Sequence, residues 1–201
     1  MIIHNVEQGS PEWFAVKAGK MSASHGQEIG NSGKGLETYI LELMSEFYSS
    51  GEKEQFTNKH TERGIELEPL ASEIYELETG NKVEKVGFCE HDEFSGCSPD
   101  RLVGEDGGVE IKSIDDKGYF KLLLEGEKGI DTKYLWQIQM CLLITARKWW
   151  DFVAYNPNYP KTMFIFRIYP DGKKQEQLIL GLAKGREMIK EIKEKANNLF
   201  I

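Results

Sequence analysis

Cysteine is scarce and long apolar runs are missing from this sequence, and each absence excludes a class of protein. The cysteines are Cys89, Cys97 and Cys141. Their odd number and wide spacing fit neither a disulfide framework nor a zinc or iron–sulfur pattern. No run of about 18 apolar residues occurs, and the first residues lack the regions of a signal peptide. We therefore expect a protein of a reducing compartment, the cytoplasm, without a membrane partner.

Positive charge is also in deficit. The 25 Lys and Arg residues face 33 Asp and Glu residues, which gives a net charge of -8 and a pI of about 5.2. This balance argues against indiscriminate wrapping of nucleic acid. It does not exclude a metal-dependent nuclease, because bound divalent cations invert the local sign of an acidic cluster. The length of 201 residues predicts one domain, residues 1–201, around one core.

Hydrophobic periodicity predicts the elements. Helices are expected over residues 10–19, 36–48, 61–78, 116–125, 132–145 and 175–199, with a short helical turn over 20–24. Strands are expected over residues 82–90, 94–99, 109–113, 148–155 and 162–169, the first three as a meander. Loops are expected over residues 31–35 and 49–59. This order predicts an α/β fold with a mixed central β-sheet flanked by helices.

The centre of the chain carries two carboxylates and a lysine in the pattern Asp-x9-Glu-x-Lys. Asp100 lies at a strand end, and an acidic, glycine-containing turn over residues 104–108 leads into the next strand. Because side chains alternate along a strand, Glu110 and Lys112 face one side while Ile111 turns into the core. A hairpin closed by the turn would bring Asp100 beside Glu110.

These groups suit phosphoryl chemistry. Carboxylates on adjacent strands, with the Ile111 carbonyl between Glu110 and Lys112, offer the hard oxygen ligands that Mg²⁺ prefers. Bound metal ions polarise a phosphate and lower the pKa of a bound water. A neighbouring ammonium can orient that water or offset negative charge in the transition state. The pattern alone also fits a hairpin with an ordinary surface Glu/Lys pair.

Several other segments occur with this motif in a characteristic order. They are Gln8 to Trp13, Ala18 to Ser24, Arg63 to Ala71, Thr79-Gly80, Cys97 to Asp100, Glu110 to Lys112, Tyr134 to Gln139 and Ala154 to Pro157. Together they span most of the chain, and the sequence resembles the phage lambda exonuclease, or YqaJ-like viral recombinase, family of PD-(D/E)XK nucleases. The resemblance implies a restriction-endonuclease-like core.

The resemblance also implies roles for single residues. Asp100, Glu110 and the carbonyl of Ile111 match the metal ligands of the family, and Lys112 matches its catalytic lysine. Glu68, just before Pro69 in a predicted helix, matches a glutamate at the metal site. The expected cofactor is Mg²⁺, with Mn²⁺ as an alternative, and two ions are expected.

A second implied site would hold the 5′-phosphate of a DNA end. Ser24 and Ser98 match hydroxyls of that pocket, and Lys17 stands where the family has an arginine. Lysine keeps the charge but lacks the planar fork for bidentate phosphate contact. The hydroxyls also fit plain helix capping, and Trp13 could stack at the DNA end or belong to the core.

Tyr134 and Gln137 fall on family positions near the active site, although both would equally suit a core-lining helix. The resemblance implies a 5′→3′ exonuclease that digests one strand of linear double-stranded DNA to mononucleotides and leaves 3′ overhangs for recombination. It further implies a homotrimeric ring, a single-strand annealing partner and a phage or prophage origin. The alternatives are an endonuclease or repair nuclease of other polarity, or a DNA-end-binding module without catalysis.

Overall fold

The computed structural model describes residues 1–49 and 59–200, without the side chains of residues 59–62 and 200. The strands are β1 (Ile2–His4), β2 (Met21–Ser22), β3 (Val83–Glu84), β4 (Phe88–Asp92), β5 (Ser95–Cys97), β6 (Arg101–Val103), β7 (Gly107–Ser113), β8 (Trp149–Tyr155) and β9 (Met163–Ile168). The helices are α1 (Pro11–Lys17), α2 (Gly26–Asn31), α3 (Lys34–Tyr48), α4 (Lys59–Thr79), α5 (Asp116–Glu125), α6 (Thr132–Thr145) and α7 (Gly172–Phe200), and Ala23–His25 and Gly126–Gly129 are 3₁₀ turns.

The larger sheet has five strands in the order β3-β6-β7-β8-β9. Strands β7 and β8 run parallel and the other neighbours are antiparallel. Val109 and Ile111 of β7 pack with Ala71 and Tyr75 of α4 in one buried cluster. Phe152 of β8 belongs to the other cluster, which includes residues of α2, α6 and α7. The predicted α/β fold with a mixed central sheet flanked by helices is therefore confirmed.

The meander expected of the first three strands is wrong, because β5 and β7 lie in different sheets. The second sheet, with the order β1-β4-β5-β2, was not predicted from the sequence. The strand expected over residues 82–90 is wrong as one element, because β3 pairs with β6 whereas β4 pairs with β1 and β5. The chain changes sheets near Gly87, whose N–H donates to the His4 carbonyl at 3.1 Å. A Cβ on Gly87 would lie 2.2 Å from the Val6 carbonyl oxygen, so only glycine permits this approach.

The helical turn expected over residues 20–24 is also wrong in part. Met21 begins the short strand β2, because its N–H donates to the Phe94 carbonyl at 2.8 Å, and the 3₁₀ turn follows. Helix α2 was not predicted, because no element was assigned to residues 25–30. Its glycines allow close packing on α6: a Cβ on Gly26 would meet the Trp136 carbonyl at 2.6 Å, and one on Gly30 the Trp136 ring at 2.4 Å.

The other predicted helices are confirmed to within a few residues, and α5 and α6 have the expected bounds. Helix α4 continues through Pro69 as one element. Most of the loop expected over residues 49–59 lies outside the described residues. Within the described ranges, no helix combines the length and the apolar character needed to cross a membrane.

Candidate active site

The β6–β7 hairpin brings the two central carboxylates together as the spacing predicts. Arg101 pairs with Val109, which sets Asp100 beside Glu110. The Asp100 carboxylate accepts a hydrogen bond from the Ile111 N–H at 2.6 Å. The hairpin is therefore held by backbone pairing and also by one of its own site side chains.

Glycine makes this hairpin possible next to β8. A Cβ on Gly107 would lie 2.1 Å from the Trp149 ring, and one on Gly108 would lie 2.3 Å from the Trp150 ring. The Arg147 guanidinium donates to the Gly107 carbonyl at 2.6 Å and to other carbonyls of the turn. The carboxylates thus stand on a tightly packed strand pair.

Glu110 is fully buried, and its two oxygens differ. Oε1 accepts a hydrogen bond from the Gln137 amide at 2.6 Å and lies 2.5 Å from the Lys112 ammonium. Oε2 is buried without a hydrogen-bond partner among the described residues. Leaving a buried carboxylate oxygen unpaired is costly, which indicates that a further positively polarised group belongs at this position.

The electrostatics of the site favour added positive charge. Burial, and next the repulsion from Glu110, raise the pKa of Asp100 well above its usual range, while Lys112 acts in the opposite direction. Burial alone would lower the pKa of Lys112, but attraction to Glu110 and Asp100 outweighs it and raises that pKa. A cation beside Asp100 and Glu110 would relieve their mutual repulsion.

A divalent metal ion fits these residues. The available ligands are the Asp100 and Glu110 carboxylates and the Ile111 carbonyl, which match the oxygen donors of Mg²⁺ sites, where water and substrate complete the shell. Among residues 1–49 and 59–200, no three His, Cys, Asp or Glu side chains form a ready metal-binding group. The structure thus offers a partial ligand set of two carboxylates.

Glu68 is connected to this region through Arg101, a residue that was not predicted from the sequence to belong to the site. Arg101 is almost fully buried, and its guanidinium donates to Glu68 at 2.7 Å, to the Ser72 hydroxyl at 3.0 Å and to the Asp100 carbonyl at 2.5 Å. Glu68 therefore pairs with Arg101 instead of lying against Glu110, and its role as a metal ligand stays a prediction. The signal for Arg101 was its place directly after Asp100 on an inward-facing strand.

Lys17 and Ser24 meet at a cavity of about 450 Å³ between α1, the first 3₁₀ turn and α3. The Ser24 hydroxyl lies 2.7 Å from the Ser22 hydroxyl, and the Lys17 ammonium lies 4.2 Å from the centre of the Trp13 ring. His25, Glu42 and Glu46 also line this cavity. Anionic and cationic side chains therefore share it.

Ser98 does not line the cavity but is connected to it through Trp13. The Trp13 indole N–H donates to the Ser98 hydroxyl at 3.0 Å and to the Gly87 carbonyl at 3.1 Å. Ser98 in turn precedes Asp100 by two residues. The three residues predicted for a phosphate pocket thus lie in one region, and their function stays a prediction.

Tyr134 and Gln137 both lie at the carboxylate site, one helical turn apart on α6. The Tyr134 ring lies near two ammoniums, 5.5 Å from that of Lys112 and 4.9 Å from that of Lys133. Its other neighbour is the Phe152 ring, at 5.6 Å between centroids. Gln137 reaches Glu110 directly, as described above.

The five-stranded sheet, with two carboxylates and a lysine on its central hairpin, defines a restriction-endonuclease-like fold of the PD-(D/E)XK type. A model of the YqaJ-like viral recombinase domain matches residues 12–148, which is more than half of the chain, so the protein belongs to this family.

Solved structures agree with this assignment. An alkaline exonuclease from Laribacter hongkongensis superposes with a TM-score of 0.80 at 31% identity, covering 94% of this chain and 100% of that chain. The same exonuclease in complex with dAMP gives the same values. A phage-related exonuclease from Haemophilus somnus superposes with a TM-score of 0.67 at 16% identity, covering 88% and 96%, which shows the fold alone. No match is found among curated protein sequences.

Proposed function

We propose that this protein is a metal-dependent exonuclease that digests one strand of linear double-stranded DNA from its 5′ end. The observation that carries the proposal is the adjacent pair Asp100 and Glu110 with the Lys112 ammonium 2.5 Å from Glu110. Family membership and the similarity to an alkaline exonuclease support DNA hydrolysis as the reaction. The complex of that exonuclease with dAMP supports mononucleotides as the product.

The residues of the site have separate tasks in this reaction. Gln137 donates to Oε1 of Glu110 at 2.6 Å, and Oε2, which has no hydrogen-bond partner in the described part of the chain, remains for a cation. Lys112 carries a positive charge next to the carboxylates, where it orients the attacking water or offsets the negative charge that grows on the phosphate. Tyr134 of α6 places its ring 5.5 Å from the Lys112 ammonium, where it can stabilise the positive charge.

The Asp100 and Glu110 carboxylates and the Ile111 carbonyl would hold Mg²⁺, with Mn²⁺ as the alternative, and two ions form part of the proposal. When bound, such ions polarise the scissile phosphate and lower the pKa of a bound water. Glu68 would join this set only by sharing its carboxylate with Arg101.

The preference for a 5′ end rests on the cavity at Lys17 and Ser24 and on Ser98 behind Trp13. A terminal phosphate there would meet an ammonium and hydroxyls, which bind phosphate as donors. We also propose a homotrimeric ring, a single-strand annealing partner and action in the cytoplasm of a bacterial host, because the family implies them. A native mass three times that of the 23.0 kDa chain would support the ring.

The decisive assay presents purified protein and Mg²⁺ with three DNAs: linear duplex with 5′-phosphate, the same duplex with 5′-hydroxyl, and closed circular plasmid. We expect rapid digestion of the phosphorylated duplex, slower digestion of the hydroxyl duplex and an intact circle. Cutting of the circle would identify an endonuclease instead. Equal rates on both linear duplexes would contradict the proposed 5′-phosphate pocket.

Matched variants test the site itself. Lys112→Met should abolish digestion, because it removes the ammonium at Glu110 with little change in volume. Lys148→Met makes the same exchange at an exposed lysine that pairs with Asp106 at the hairpin turn, and it should keep full activity. Digestion that survives in Lys112→Met would show that the reacting centre lies elsewhere.

A further inference from the structure

We propose that a second cavity, next to Lys112, binds the phosphate backbone of the digested strand on the 3′ side of the scissile bond. The cavity has a volume of about 700 Å³ and lies between the end of β7, helix α5, the second 3₁₀ turn and the start of α6. Its lining begins at Ser113, the residue after Lys112, and includes Tyr134. This inference rests on the proposed exonuclease function and adds a substrate site to it.

Three lysines converge on this cavity in a protein whose net charge is negative. They are Lys121, Lys128 and Lys133. Lys121 lies 3.9 Å from Glu125, and Lys133 lies 3.5 Å from Asp131. Both pairs are about half exposed, and exposed pairs contribute little to stability, so a phosphate can replace these partners at small cost. Lys128 forms no ion pair with any residue that the structure describes.

The two aspartates in the lining have other tasks. Asp115 accepts a hydrogen bond from the Gly118 N–H at 2.7 Å, and Asp131 accepts one from the Lys133 N–H at 3.0 Å. Each therefore caps the first turn of a helix, α5 or α6. Capping fixes their carboxylates at the helix ends, whereas the lysine ammoniums stay mobile on long side chains and can follow a phosphate.

Tyr134 and Phe152 place the cavity beside Lys112. Both residues line it, the Tyr134 ring lies 5.5 Å from the Lys112 ammonium, and Phe152 of β8 pairs with Glu110 in the sheet. A phosphate held by the lysines would therefore be adjacent to the reacting centre.

The two cavities are connected to the carboxylate pair through different residues. The first cavity leads through Trp13 and Ser98 to Asp100. The second is lined by Tyr134, whose ring lies 5.5 Å from the Lys112 ammonium. With the 5′ end in the first cavity and the scissile phosphate at the carboxylates, the strand continues in the 3′ direction over the second cavity.

The test measures binding of 5′-phosphorylated duplexes in EDTA by fluorescence anisotropy, and digestion in Mg²⁺. The variant is Lys128→Gln with Lys133→Gln. The control, Lys148→Gln with Lys173→Gln, removes the same charge at exposed residues outside both cavities. We expect Kd to rise about tenfold in the first variant and less than twofold in the control. The slope of log Kd against log salt should fall by roughly 1 to 2 in the first variant only.

Neutral linkages then locate the contact. A single methylphosphonate is placed at each of the linkages that follow the scissile bond in the digested strand, or at matching positions in the complementary strand. At one linkage of the digested strand, we expect the neutral group to weaken wild-type binding several-fold but the lysine variant less than twofold. Additive losses at every linkage would overturn the inference.

If no linear duplex is digested, the exonuclease proposal itself fails, whereas digestion with unchanged Kd in the lysine variant refutes only the second cavity.

Discussion

Replacing Asp100 by asparagine should stabilise the metal-free protein and remove its response to magnesium. Asp100 is partly buried beside the fully buried Glu110. Burial and the Glu110 charge raise its pKa, so its ionised form is less favourable in the folded protein than in the unfolded chain. Asparagine keeps an oxygen for the Ile111 N–H, 2.6 Å away in the wild type, but carries no charge.

The size of the effect follows from the partial burial. Replacing a whole buried ion pair by neutral residues can stabilise a protein by about 1–4 kcal/mol. We expect about 1–2 kcal/mol for Asp100→Asn, because it removes one of two mutually repelling carboxylates, keeps some contact with water and leaves the Lys112–Glu110 pair in place. For a chain of this length the melting temperature should rise by about 2–8 °C. The gain should vanish below about pH 4, where the carboxyl is protonated in both states, and grow as pH rises.

Magnesium should stabilise the wild type much more than the Asp100→Asn variant. A ligand present at about one hundred times its Kd stabilises the folded state by about 2.7 kcal/mol, which corresponds to about 5–11 °C here. We expect this shift in the wild type and little of it in Asp100→Asn, because one of the two carboxylate ligands is lost.

Thermal unfolding in EDTA and in Mg²⁺ measures both effects. The control is Asp106→Asn, the same exchange at an exposed residue of the same hairpin that pairs with Lys148 at 2.9 Å, and it should change stability by less than about 0.5 kcal/mol. The reasoning is refuted if Asp100→Asn melts at or below the temperature of the control in EDTA. It is equally refuted if Mg²⁺ raises the melting temperature of Asp100→Asn as much as that of the wild type.

Three further variants test the packing and the first cavity. Gly108→Ala should lower the free energy of unfolding in urea by about 1–3 kcal/mol because a Cβ would lie 2.3 Å from a tryptophan ring, whereas Gly35→Ala, with ordinary neighbours at 3.6 Å, should be neutral or slightly stabilising. Asp151→Ala should cost about 2–3 kcal/mol in the same assay, since it removes a buried carboxylate that accepts two bonds from Arg167, at 2.8 and 2.9 Å. Trp13→Phe should slow digestion of 5′-phosphorylated duplex about threefold to tenfold through loss of its two indole hydrogen bonds, with little change for 5′-hydroxyl duplex; equal slowing of both would assign Trp13 to the core.

Local patterns were sufficient for the central hairpin and most helices. Strand β7 alternates between the two faces of the sheet, so its spacing alone set Glu110 and Lys112 on one side and Ile111 on the other. The glycines of the turn then determined the register that brings Asp100 beside Glu110. Helices α5 and α6 were predicted at their observed bounds because their apolar residues repeat at helical spacing.

The second sheet could not be predicted in the same way. Strands β1, β2 and β5 have two or three residues each, too few for an alternating pattern to show. Their partners are remote in sequence, as where His4 pairs with Phe88. Helix α2 was missed for a related reason. Its glycines allow close packing against Trp136 of α6, and this contact cannot be recognised from the sequence of α2 alone.

By itself the sequence determined which reactive groups the protein carries, their order and the side of the strand each one takes, because these depend on residue identity and local backbone geometry. Only the tertiary structure decided which distant groups meet. Glu68 pairs with Arg101, Gln137 donates to Glu110, and Trp13 contacts both Ser98 and Lys17. Packing also leaves two cavities, one lined by Lys17 and Ser24 and one by Tyr134. Such contacts depend on how whole helices and sheets pack, and no short stretch of sequence contains that information.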